Sequence, residues 1–462
     1  MVSRAFSVSF RCVKTNNVCP HSYNVTSGFH HAATLFNPIQ SPEEKQKIPI
    51  FKYGAKEQQR SKRIYLWGCA ATGALGEPRY LKPTQKRARA LLSLHKPGRL
   101  RFAELNDVTD VACGFGFTVF AVRSKNQAKV FGTGINTSSQ IGVHEVRKGH
   151  PFEFVLSPLP IAVPLLNPSE TKVLQVACGR AHTLILTDKE GIFSLGNNSF
   201  GQCGRPIVHK EDYRANPTIH KVRGLDDVTI KKIVCGQDHT VFLTDEGKVY
   251  ACGWGADGQT GLGHFESRWQ PGLVKGDIGN ERIVHLSSSG DCVLAVSDNG
   301  DVFGWGNSEY KQLAPATDEQ QICYARYFKI REFGKILQAA AASTMCAILN
   351  DRGHVFVWGY GVLGKGPIVE SISYPDMLPE PLFGRNVFNT DVTVTDINAG
   401  LNHFAAITNK GDLYMWGKNS RSCLGLGHPK DQYFPFKVCV PAEVQRLSCG
   451  KDHTAAFCKA FV

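Results

Sequence analysis

None of the fifteen cysteines is spaced Cys-x-x-Cys. Zinc ribbons and thioredoxin-type redox centres need that spacing, so both are excluded. The sequence has no uninterrupted apolar run of 18 residues. Its nearest approach, Ile336–Leu349, is broken by Gln338, Ser343 and Thr344, so an ordinary membrane-spanning helix is not expected. No Gly-x-x-x-x-Gly-Lys-Ser/Thr is present, so the chain is not itself a P-loop GTPase. No nucleophile elbow or comparable local signature marks a covalent enzyme. Acid is missing from the first 42 residues, and Glu43 is the first carboxylate.

That acid-free start does contain Arg4, Arg11 and Lys14. On a helical wheel they lie opposite Val2, Phe6, Phe10 and Val13. An Arg-bearing amphipathic start without acids predicts a mitochondrial transit peptide, whereas a secretory signal would need a continuous apolar core. The rest of the composition is that of a globular chain. Of 462 residues 42% are hydrophobic, and 53 basic residues against 40 acidic give a net charge of +13. The 45 glycines and 23 prolines favour many short strands and turns. Cys113, Cys178, Cys235 and Cys449 each precede a glycine, which reads as small structural thiols kept reduced.

Those cysteines belong to a repeat. Cys178-Gly179-Arg-Ala-His182-Thr, with Asp188-Lys-Glu-Gly191 and Leu195-Gly196 after it, returns at Cys235, Ala399 and Cys449. Weaker copies start at Cys113, Ser288 and Ala341, giving seven in all. Each has alternating apolar residues, a polar turn ending in glycine (Asp245–Gly247, Asp298–Gly300, Asp351–Gly353, Asn409–Gly411), and a second strand ending in an apolar residue plus glycine (Phe131-Gly132, Cys252-Gly253, Trp305-Gly306, Trp358-Gly359, Trp416-Gly417). Repeats of this length predict four-stranded propeller blades. The last copy stops at Val462 before its Trp-Gly strand, and the missing text stands at Ile64-Tyr-Leu-Trp67-Gly68. The N-terminal strand is therefore expected to close the last blade and leave no open edge. The domain reading is a leader over 1–60 and an all-β, seven-bladed propeller over 61–462.

The Cys-Gly-x-x-His-Thr, Asp-x-x-Gly, Trp-Gly-x-Asn and Gly-Gln-x-Gly text resembles the regulator of chromosome condensation repeat across residues 64–462. That family forms seven-bladed propellers. Cys178–Thr187, 196–204, Cys235–Gly263 and 304–309, with the transit-like start, resemble a mitochondrial branch of it. This resemblance implies a non-enzymatic scaffold without cofactor or metal. Its implied partners are the mitochondrial large-subunit rRNA and the rRNA-modification or ribosome-assembly proteins, in the matrix or peripherally on the inner membrane. The stretch Glu77–Arg101 reads as the clearest insertion. Its Arg79, Lys82, Lys86, Arg87, Arg89, Lys96, Arg99 and Arg101 face one acid, Glu77, and would attract phosphate with little sequence preference. Arg60, Lys62 and Arg63 extend this charge.

The resemblance also implies an alternative: nucleotide exchange on a dynamin-like mitochondrial fusion GTPase. Asp238 in Gly236-Gln-Asp-His239 and Asp452 in Gly450-Lys-Asp-His453 match the family's acidic turn. An exposed carboxylate there would compete with phosphate or disturb Mg²⁺. No wedge insertion is apparent at 254–263 or nearby. His182, His239, His403 and His453 recur in four copies, with Phe117, Cys292 and Met345 in the others. They are expected as half-buried structural rings bonded to adjacent backbone. Gly253-Trp-Gly255-Ala-Asp-Gly258 and Gly359-Tyr-Gly361-Val-Leu-Gly364, the latter followed by Lys365, imitate nucleotide loops without the required βαβ setting. The repeat tryptophans read as core.

Overall fold

In a computed structural model, residues 63–82, 89–124 and 128–459 are described. The expected leader, Arg60, Lys62, Lys86 and Arg87 lie outside them. Seven four-stranded antiparallel sheets form the blades of a β-propeller. The inner strands are, in chain order, Val108–Cys113, Val173–Cys178, Ile230–Cys235, Ile283–Ser287, Ile336–Ala341, Val394–Ala399 and Glu443–Cys449. The second strands of the first six blades, His239–Thr244 for example, are buried along their whole length, and that of the seventh, His453–Lys459, is buried up to Lys459. Such a strand is covered by a neighbouring blade on each side, so its burial is continuous and its sequence shows no apolar–polar alternation.

The expected closure is present. Arg63–Cys69 pairs with His453–Lys459, placing Trp67 opposite Thr454 and Gly68 opposite His453. Its other edge pairs with Ser93–Arg99. The seventh blade is thus two C-terminal and two N-terminal strands. Glu77–Arg101 is accordingly not one insertion, because its second half is the blade's outer strand. That strand shows no amphipathic alternation, and so it could not be told from a loop by pattern.

The outer strands carry Pro97, Pro158, Pro271, Pro375 and Pro435. Proline cannot donate to a further ladder, so it blunts these edges against pairing with another chain. Cores form between blades: Trp305 and Phe303 of the fourth pack on Val241 and Val249 of the third. Trp67, Trp305, Trp358 and Trp416 are all fully buried, as expected. The indole N–H of Trp67, Trp305 and Trp358 reaches back to the preceding blade, donating to the carbonyls of Cys423, Gln259 and Gln312 at 2.7, 3.0 and 2.8 Å.

The terminal glycine of each third strand sits opposite the first residue of the second strand. Gly253 has φ +112° and faces His239, and a β-carbon on it would lie 2.6 Å from the His239 Cα. One pairing differs from the sequence expectation. In the first blade the equivalent glycine is Gly134, opposite Phe117 with φ +108°, and not Gly132. The described cysteines, thirteen in number, are all free thiols.

Candidate functional site

The turns joining inner to second strands share one face of the disc with the loops joining third to outer strands, because each third strand ends beside the start of a second strand. Asp238 lies on this face, but its carboxylate is not free. Arg180 of the second blade donates from Nε to Oδ1 at 3.1 Å and forms an ion pair with the other oxygen. The Asp238 side chain keeps 13% of its accessible surface. Burial raises its pKa, against the pull of Arg180. The expectation of an exposed carboxylate is therefore corrected: the ionised acid is held by a cation, as a nearly buried charge must be.

Asp452 sits at the same turn of the seventh blade, so the two candidate acids are not brought together. It lies 3.3 Å from His453 Nδ1. Burial pushes the His453 pKa down, but Cys113 and Asp452 outweigh it and hold it at about 10. The same imidazolium leaves Asp452 below the usual carboxylate range, despite a burial effect in the other direction.

A third acid escaped the sequence reading. Asp291 occupies this turn position in the fourth blade and accepts from Gln237 Nε2 at 2.9 Å and Gln259 Nε2 at 3.4 Å. Asp257 stands close enough for its own pKa to be raised, first by burial and then by Asp291. The signal was the alignment of Asp238, Asp291 and Asp452 one residue before the histidine position, hidden because Cys292 replaces the histidine.

The repeat histidines are fully buried rather than half-buried, and their partners are side chains. His182 Nε2 meets Thr240 Oγ at 3.2 Å, His239 meets Ser288 at 3.1 Å, and His453 meets Thr118 at 2.9 Å. Each partner belongs to the next blade. The Thr240 and Thr118 hydroxyls donate onward to the carbonyls of Gln202 and Ala74. The histidines must therefore donate to them from Nε2. Burial lowers the pKa of His182 to about 3 and of His239 and His403 to about 4, so these rings are neutral.

The basic residues run the height of the seventh blade's outer edge. Arg79 is paired with Glu77 at 2.6 Å and Arg99 with Glu104. Lys82, Arg89, Lys96 and Arg101 are exposed, with no acid at ion-pair distance among the described residues. Lys365 is anchored to Asp376 Oδ2 at 2.7 Å and to the Met377 carbonyl at 2.8 Å, in a loop that opens no helix. A two-stranded ribbon, Glu145–Arg147 with His150–Pro151, projects from the first blade and carries exposed Val146. The sequence reading missed it, although Lys148-Gly149 gives its turn. The inner strands enclose a central channel of about 550 Å³. No group of three or more His, Cys, Asp or Glu among the described residues is arranged to hold a metal.

This geometry is a ring of interlocked repeats with loops for contact, a repeat propeller of the regulator of chromosome condensation type. The chain belongs to the regulator of chromosome condensation (RCC1) repeat family, whose repeat matches at residues 62–121, 190–243, 246–296 and 410–457. A second model of the repeat matches 173–202, 230–259 and 394–423. The chain is 47% identical over 429 residues to the RCC1-like G exchanging factor-like protein of Mus musculus, covering 92% of this chain and 93% of the relative. The Homo sapiens protein of that name is 46% identical over 422 residues, covering 90% and 91%. The crystal structure of human WBSCR16 superposes with a TM-score of 0.82 at 47% identity, covering 87% of this chain and 100% of that one. Yeast RCC1 (Prp20), in its complex with Kap60, shares the fold with a TM-score of 0.71 at 18% identity, covering 95% and 97%.

Proposed function

We propose that the chain is a non-catalytic docking propeller of the mitochondrion, whose seventh blade contacts large-subunit rRNA during ribosome assembly. One observation carries this reading: Lys82, Arg89, Lys96 and Arg101 stand exposed and free of acids along a single blade edge. Unpaired cations on a fixed edge bind phosphate through counterion release, with a salt slope of about −3 to −4 for four contacts. Among the described residues this edge has no row of exposed aromatic rings, so it would follow the RNA backbone rather than read bases. Partners are then the rRNA and the proteins that modify it or assemble the subunit, in the matrix or peripherally on the inner membrane. Ultraviolet crosslinking of the tagged chain in cells, with sequencing of recovered RNA, tests this. Enrichment of mitochondrial large-subunit rRNA supports it, and recovery at background rejects it.

The name of the mouse and human relatives favours a second reading, guanine-nucleotide exchange on a dynamin-like mitochondrial GTPase. Asp238, Asp257 and Asp291 occupy one sector of the turn face in two consecutive blades, where they would meet such a partner. Asp238 would have to exchange Arg180 for a group on the GTPase. A GDP-release assay with that GTPase tests it: unchanged release at saturating propeller rejects this second reading.

A further inference from the structure

We infer that the central channel binds a small zwitterion, a molecule with a carboxylate at one end and an amine at the other. Every inner strand carries one polar side chain at the same register, directly after a bulge. Four of these are charged: Asp110 in the first blade, Lys232 in the third, Asp396 in the sixth and Arg446 in the seventh. All four line the channel. Two cations and two acids thus share one cavity, and they are not paired alike.

Arg446 and Asp110 close on each other, with Nη1 donating to Oδ1 at 3.2 Å. Asp110 also accepts from the Val176 N–H at 3.0 Å, and Arg446 donates to the Thr109 carbonyl at 2.8 Å. That pair is satisfied within the ring. Lys232 and Asp396 are not in ion-pair contact, yet each feels the other. Burial lowers the Lys232 pKa, opposed by Asp396. Burial raises the Asp396 pKa, opposed by Asn398 and then by Lys232.

The Lys232 ammonium donates to the Leu286 carbonyl at 3.3 Å, and among the described residues its other two N–H bonds go unused. Asp396 accepts from Asn398 of its own strand at 3.1 Å, and no cation touches it. His285 holds the same register in the fourth blade and also lines the channel. Its Nδ1 accepts from the Ala339 N–H at 3.5 Å. The ring proton is then on Nε2, which meets no acceptor among the described residues. Two opposite charges withdrawn from water and held out of contact are costly. One two-ended molecule relieves both: its carboxylate takes the N–H groups of Lys232 and His285, and its amine takes the Asp396 carboxylate. The channel of about 550 Å³ has room for it. The way in is from the face opposite the turns. At the turn end, Ser289 Oγ of the fourth blade donates to the Ala399 carbonyl of the sixth at 2.9 Å and spans the opening. At the other end, Leu174, Lys231 and Val284 stand exposed around the mouth.

Isothermal titration calorimetry on the intact chain tests this. The probes are glycine, β-alanine and γ-aminobutyrate, which part amine and carboxylate by successively longer spacers. At least one is expected to bind ten times or more tightly than butyrate and propylamine, which offer a single charge each. Lys232→Met and Asp396→Asn are each expected to weaken that binding at least tenfold, with folding checked by circular dichroism. No binding of any of the three at millimolar concentration overturns the inference and leaves the channel to water. So does equal binding of the singly charged probes, or unchanged affinity in both variants. If neither variant folds, the comparison of probes on the wild type alone decides.

Discussion

Gly236 lies against the ring of His239 so closely that a β-carbon on it would sit 2.0 Å from the imidazole Cε1. The relation recurs. Gly179 would meet His182 at 2.1 Å, Gly400 would meet His403 at 2.2 Å, and Gly114 would meet the Phe117 ring at 2.2 Å. Where no ring is present the glycine is gone: Ser289 stands before Cys292 and Ala342 before Met345. The Cys-Gly text is therefore steric, leaving room for a ring that folds back under the turn.

Gly236→Ala is expected to cost about 3 kcal/mol, because the ring is fully buried and cannot move aside. The double variant Gly236→Ala/His239→Met copies the fifth blade's pair and should recover a third or more of that loss. Thermal melts of the two single variants and the double form a cycle that reads the coupling. Strict additivity would refute the steric account.

The buried histidines set an acid limit. Burial holds His182 and His285 near pKa 3 and His239 and His403 near 4. In the unfolded chain each titrates near 6.5. Below that pH the unfolded state binds the extra protons, so stability falls by roughly 1 kcal/mol per histidine per pH unit until the folded pKa is reached. His453 works in the other direction. Its folded pKa of about 10 lies above the unfolded value, so its contribution is complete below pH 6.5 and disappears as pH rises toward 10. Four groups against one predict a melting temperature that drops steeply from pH 6.5 to 5 and more gently from 6.5 to 10. A flat profile between pH 5 and 6.5 would contradict the neutral-ring assignment.

The blades were legible because the repeats share steric signatures: a glycine near the end of every third strand, a glycine under a ring in five of the blades, and a tryptophan reaching to the blade before it in three. The seventh blade could be read because Trp67-Gly68 lacked a partner at one end of the chain and the last copy lacked the same text at the other. The outer strands were not legible, since proline and exposed polar residues such as Lys96 and Pro97 give a strand and a loop the same pattern. The ion pair of Asp238 with Arg180 was out of reach because 58 residues separate them. The polar residues that follow the bulge of each inner strand escaped for another reason. Asp110, Gln175, Lys232, His285, Gln338, Asp396 and Arg446 are chemically unlike, and only their register unites them.

Closure by two N-terminal strands makes residues 64–68 and residues 1–50 energetically unequal. Deleting residues 64–68 removes Trp67, its bond to Cys423 and the ladder with His453–Lys459. Loss of a buried tryptophan alone costs about 3 to 5 kcal/mol, and the freed ladder adds to it. That is comparable with the whole stability of an ordinary domain, so the ring should not fold. Deleting residues 1–50 touches none of these contacts and should leave the melting temperature within about 2 °C of the full chain. Circular dichroism melts of the two truncations decide, and equal stability would refute closure by this strand.

The two functional readings part at Arg180. If exchange resides on the turn face, Arg180→Ala frees the Asp238 carboxylate and should speed GDP release from the partner GTPase several-fold. Asp238→Asn should abolish it, because the amide carries no charge to set against the nucleotide phosphates. Neither variant touches Lys82, Arg89 or Lys96, so RNA recovery after crosslinking should stay at wild-type level in both. Reversing those three cations to glutamate turns the blade edge from basic to acidic. It should cut RNA recovery at least tenfold while leaving GDP release unchanged. These exposed cations have no acid at ion-pair distance among the described residues, so folding should survive the reversal. RNA lost in Asp238→Asn, or retained in the triple reversal, would remove the seventh-blade edge from RNA binding and move the contact to the turn face.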